Sequence, residues 1–187
     1  MNLRIAKLIR ILTLPQLMVI WTVILLHREI GADFRALMIV LFLTVLPLLS
    51  YPLCAITPRL RAGGRKTQRN MAVAFSVAGY FAGLLYALFC GGSTMEVFIY
   101  LCYICSGVLI AVGTALGCRA SGHMAGMAGP VVMLSLIKSP WFALVGILML
   151  PIAYSSLKLR RHTMPELILG ALSSAVPVVI FRFWMLS

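Results

Sequence analysis

Seven apolar stretches alternate with short polar links along this chain, at about 11–27, 36–57, 71–91, 96–117, 123–138, 140–155 and 166–186. Several approach the roughly 20 residues that carry an α-helix across the hydrocarbon core of a bilayer. The fifth and sixth are short for full spans, and Lys138-Ser139-Pro140 between them predicts a tight reversal. Prolines inside the runs (Pro47, Pro52, Pro130, Pro151, Pro177) predict kinks, which membrane helices tolerate when neighbours satisfy the freed carbonyls. Gly79-x-x-x-Gly83, Gly113-x-x-x-Gly117 and Gly122-x-x-x-Gly126 predict small-residue seams where helices approach closely. No repeat, low-complexity segment or domain linker interrupts the pattern. It predicts an all-α, polytopic membrane bundle of about six to seven transmembrane helices, a single integral-membrane domain over residues 1–187.

Composition supports this and excludes an ordinary soluble domain: 62% of the 187 residues are hydrophobic and the mean hydropathy is +1.05. The formal net charge is +12, from 16 Lys+Arg against 4 Asp+Glu. In a soluble chain that excess would suggest nucleic acid. Here the cations lie in links between spans, so membrane topology, anionic lipid headgroups or a phosphorylated substrate account for them, and no nucleic-acid partner is expected.

Counting spans places the N-terminus and the links 58–70, 118–123 and 156–165 on one side of the membrane. That side holds twelve cations: Arg4, Lys7, Arg10, Arg59, Arg61, Arg65, Lys66, Arg69, Arg119, Lys158, Arg160 and Arg161. The other side holds four: Arg28, Arg35, Lys138 and Arg182. The positive-inside rule makes the basic side cytoplasmic. The first apolar stretch follows three cations as a signal peptide does, but it lacks a small-residue cleavage site and is expected to be a retained helix. Cys102-Tyr-Ile-Cys105 has a redox or metal spacing; inside an apolar run, with no second ligand pair, it reads as two packing residues.

The chemistry-bearing residues concentrate at Ser156-Leu-Lys-Leu-Arg-Arg-His-Thr-Met-Pro-Glu166. His162 and Glu166 stand four apart, on one face if the turn between them is helical. Thr163-Met-Pro-Glu166 also predicts a helix start, with Thr163 as N-cap and Glu166 at the capping-box position. Glu166 therefore carries two readings, capping residue and partner of His162. Arg119-Ala-Ser-Gly-His123 is a second cluster. Ser121 can cap the following helix, Gly122 lets an anion approach bare backbone, and His123 projects from the first turn. The plainer alternative is an ordinary helix start with an interfacial histidine. Gly63-Gly-Arg-Lys-Thr-Gln-Arg69 is a flexible basic link, by itself an ordinary cytoplasmic positive loop.

Ser121-Gly122-His123, with Arg161-His162-Thr163 following and an acid four residues beyond that histidine, resembles the type 2 phosphatidic acid phosphatase superfamily. Its members share a helical core with vanadium haloperoxidases and bacterial acid phosphatases, and their motifs are KxxxxxxRP, PSGH and SRxxxxxHxxxD. The resemblance covers a phosphatase-like core of about 58–187. It implies that His162 is a nucleophile forming a phosphohistidine, oriented by Glu166, and that His123 is the general acid protonating the leaving oxygen. It implies phosphate binding by Ser121 and Gly122, with Arg69 and Lys66 as further cations. Ser156 stands where the family has arginine, Glu166 where it has aspartate and Ala120 where it has proline. Arg160 and Arg161 are the cations available in place of the missing arginine.

The function these residues imply is hydrolysis of a phosphate or diphosphate from a lipid (phosphatidate, phosphatidylglycerol phosphate or a polyprenyl diphosphate), with no metal and no cofactor. The expected partners are the phosphorylated lipid and the bilayer, and the expected location is a bacterial cell membrane. Two alternatives stay open: a non-catalytic protein binding or transporting a phosphorylated lipid on the same scaffold, and a structural or assembly membrane protein.

Overall fold

The computed structural model describes residues 14–186, and every regular element among them is a helix. Helix α1 (Pro15–Leu25) leads through a one-turn helix (His27–Ile30) to α2 (Asp33–Ile56). A second short turn (Pro58–Ala62) precedes α3 (Gly64–Phe89), which is followed by α4 (Thr94–Ala115) and α5 (Gly122–Ile137). A 3-10 segment (Pro140–Leu148) then runs into α6 (Met149–Lys158), and α7 (Met164–Met185) closes the bundle. Within the described residues each apolar stretch of the sequence is helical, the sixth as the 3-10 segment followed by α6. Arg4, Lys7, Arg10 and the start of the first stretch lie outside the described residues.

Among the described residues five segments are long and apolar enough to cross a membrane: α2, α3, α4, Pro140–Lys158 and α7. Helices α1 and α5 are shorter, yet they too join the two ends of the bundle. Pro15, at the start of α1, packs against Gly126 near the start of α5. Past their far ends Glu29 meets Lys138, Oε1 to Nζ 2.7 Å. At that same end His27 pairs with Asp33 at 2.6 Å, and Arg35 Nη2 donates to the Gly91 carbonyl at 2.9 Å. The alternation of links between two ends is therefore geometric as well as arithmetic.

The core joins Val19 and Val23 of α1, Ile39 and Leu43 of α2, Phe98 and Tyr100 of α4, Met133 of α5 and Val178 of α7. Large apolar side chains such as Trp21, Leu88, Ile168 and Trp184 face outward. In water such a surface would drive aggregation, whereas in lipid it is the expected exterior. A π turn at Leu41–Val45 ends just before Pro47, whose missing N–H leaves the ladder one bond short.

The predicted seams divide. A Cβ on Gly83 would stand 2.2 Å from the Tyr100 ring, and one on Gly79 2.5 Å from the Phe42 carbonyl, so this pair lets α2 and α4 close onto α3. Gly113-x-x-x-Gly117 is not a seam. Gly117 has φ +88° and ends α4, with Gly117 N–H donating to Thr114 O and Cys118 N–H to Gly113 O, the paired bonds of a Schellman cap.

Candidate functional site

Two links at the basic end are built alike and pinned together. The first follows the cap at Gly117; the second follows α6, which ends in the same motif. Arg160 N–H donates to Leu157 O at 2.9 Å and Arg161 N–H to Ser156 O at 3.0 Å. The left-handed residue here is Arg160 (φ 48°) rather than glycine, a strain of about 1–2 kcal/mol. Each link then passes through an extended N-cap, Ser121 or Thr163, into α5 or α7.

The pin is a backbone bond: Ser121 N–H donates to the Glu166 carbonyl at 2.9 Å. It needs α7 to come very close, and Gly170 permits that, because a Cβ there would lie 2.4 Å from the Ser121 carbonyl oxygen. Ser121 is fully buried, and its hydroxyl accepts from Met124 N–H at 3.5 Å. Its N–H is thus engaged in holding the links, and its hydroxyl accepts at the cap of α5. Gly122 beside it is exposed at the N-terminus of α5, where backbone N–H groups favour an anion.

Glu166 serves both of its predicted roles at once. Its Oε2 accepts from Thr163 N–H at 3.0 Å, completing the capping box, and lies 3.2 Å from His162 Nδ1. Its Oε1 is 3.7 Å from Arg119 Nε. His162 Nδ1 is also 3.0 Å from the Arg119 carbonyl. A carbonyl oxygen only accepts, so Nδ1 carries the proton in this arrangement. That is the tautomer a nucleophilic histidine requires.

Arg119 is the residue that sequence reasoning missed. Its carbonyl orients His162 and its guanidinium faces Glu166, and its position as the cation opening the Ser-Gly-His link was the available signal. His123, on the first turn of α5, is half-buried at the same end. Lys66 and Arg69 are exposed near the start of α3, and Arg69 and Gly122 line one cleft. Arg160 and Arg161 are exposed on the link preceding His162. Ser156, in place of the family's arginine, is fully buried.

The other three acidic residues, Glu29, Asp33 and Glu96, belong to the far end; Glu96 is fully buried, with neither carboxylate oxygen hydrogen-bonded among the described residues. No group of three or more His, Cys, Asp or Glu that could hold a metal occurs among the described residues, and all five cysteines are free thiols.

This end of the chain carries an imidazole held at Nδ1, a second histidine, two helix N-termini and several exposed arginines. Comparison with protein-family models, with curated proteins and with solved structures finds no match for this chain.

Proposed function

We propose that this protein is an integral-membrane phosphatase acting on a lipid phosphate or diphosphate at the basic end of the bundle. The observation that carries the reading is the double hold on His162 Nδ1, by the Arg119 carbonyl and the Glu166 carboxylate. In this reading Nε2 acts as the nucleophile.

In the first step Nε2 attacks phosphorus and the bond to the leaving alkoxide or phosphate breaks. His123, protonated, gives its proton to the departing oxygen. Glu166 offsets the positive charge that the ring acquires as the N–P bond forms. In the second step water attacks the phosphohistidine, the now neutral His123 takes its proton, and inorganic phosphate leaves with Nε2 restored. Gly122 N–H, Arg69 and Arg161 supply donors and charge for the phosphoryl oxygens. The lipid's tail stays in the bilayer while its headgroup reaches these groups, which suits a site at the helix ends.

Phosphate release from a panel of lipid phosphates by the purified protein tests this. Turnover is expected for the native chain and a loss of several powers of ten for His162→Ala. Burial of Ser156, where the family pattern has arginine, favours a second reading, a non-catalytic lipid-phosphate binding protein. Binding without release by the native chain, and equal binding by His162→Ala, is its signature.

A further inference from the structure

Helices α3 and α5 make no substantial contact with each other, while α4 packs on α3 and α7 packs on both α4 and α5. The gap is a mostly apolar cleft backed by α4 and α7. Its α3 wall runs from Arg69 to Tyr80 and its α5 wall from Gly122 to Met133. Each wall covers twelve residues, and the steps between its ends give a depth of about 16 Å at the helical rise. That is about half of the ~30 Å hydrocarbon core, or one leaflet. Arg69 and Gly122, both exposed, stand at the mouth, at the end of the bundle where the candidate site lies. Tyr80 and Tyr103 meet edge to face at the deep end, ring centroids 5.6 Å apart at 74°.

We infer that this cleft holds one acyl chain of a glycerophospholipid phosphate, with the Tyr80–Tyr103 pair as the floor that fixes how long a chain it accepts. The inference rests on the lipid-phosphate reading above and selects within it. A cation at the mouth complements an anionic headgroup, and one leaflet of depth is the length of an ordinary phospholipid tail. A long polyprenyl chain exceeds that depth and meets the two rings. Because membrane tails are as apolar as the cleft, the gain comes from fit rather than from desolvation. Depth and shape therefore decide which chain is held.

The test uses the purified full chain in lipid nanodiscs with phosphatidate probes carrying a photoreactive diazirine at one acyl position. A diazirine near the ester should label α3 around Val73, and one at the chain terminus should label the peptides containing Tyr80 and Tyr103. Val73→Trp, which fills the upper cleft, should abolish the deep labelling, whereas Tyr103→Phe, which keeps the floor, should leave it unchanged. Unlabelled phosphatidate should compete at least about tenfold better than a long-chain polyprenyl phosphate, a factor set by about 1.4 kcal/mol of lost fit. Labelling that ignores the position of the diazirine, or falls on the outward Ile168 and Leu172 face, overturns the inference. So does equal competition by the polyprenyl lipid. Depth-ordered labelling without any phosphate release would keep the cleft and remove the phosphatase reading; release with disordered labelling would do the reverse.

Discussion

Ser121 N–H donates to the carbonyl of Glu166 at 2.9 Å, and this bond fastens the start of α5 to the start of α7 across 45 residues of chain (166 − 121). The two N-termini are thereby held as one unit, with His123 two residues beyond one partner and His162 four residues before the other. Gly170 is what lets them approach, so Gly170→Ala should force Ser121 away from α7. The expected cost is about 1–3 kcal/mol, the range for overpacking where backbone cannot yield. Thermal denaturation in detergent measures it, and phosphate release should fall in the same variant. Unchanged stability would mean that the two links are not fastened in this way.

Glu166→Gln separates the two tasks of that side chain. The amide oxygen can still accept from Thr163 N–H, so the helix start should weaken by less than about 1 kcal/mol. The charge opposite the His162 ring is lost, and the rate should drop on the order of 10²-fold, as when a group that orients a histidine is neutralised. A rate loss that merely tracks a loss of folded protein would assign Glu166 to capping alone.

The far end provides a pH signature independent of the site. Burial raises the Glu29 carboxyl, but the hydrogen bond and charge of Lys138, its own backbone and nearby Arg28 together hold it below the ordinary carboxylate range. A lowered folded-state value stabilises the protein above the unfolded pKa and loses that contribution as pH falls through the folded one. Lys138→Ala should therefore be less stable than the native chain at pH 7, by up to about 1 kcal/mol for a partly exposed pair. The difference should fade on acidification below the ordinary carboxylate range. A difference that grows with acidification would contradict this assignment.

Much of this architecture is legible in sequence because its causes are local. Helix lengths follow from runs of apolar residues, and the start of α7 follows from Thr163 and Glu166, whose capping bonds span three residues. What was not legible depends on which strangers meet. Nothing local to Arg119 says that its carbonyl will orient a histidine 43 positions later (162 − 119). Gly117 has the spacing of a packing seam, yet its left-handed φ makes it the cap that turns the chain into the Ser-Gly-His link. The engagement of Ser121 and the cleft between α3 and α5 likewise follow from packing of helices distant in sequence.

Sidedness follows from the cation split and can be read with thiols. Cys90 is exposed at the far end of α3, and Arg65 is exposed at its basic end. An impermeant thiol reagent added to intact cells should label a variant retaining only Cys90. It should spare a cysteine-free variant carrying Arg65→Cys until the membrane is opened. The opposite pattern would place the candidate site on the outer face.

The central claim is that His162 Nε2 bonds to phosphorus, and trapping that bond tests it most directly. The purified chain is mixed with phosphatidate bearing a radioactive phosphate, quenched within the first turnovers, and digested. A phosphoramidate label, stable to base and lost in acid, is expected on the peptide containing His162, absent from His162→Ala and increased in a His123→Ala chain supplied with a substrate whose leaving group needs no proton. Retention of the lipid phosphate with no label on any peptide and no phosphate released would contradict the account.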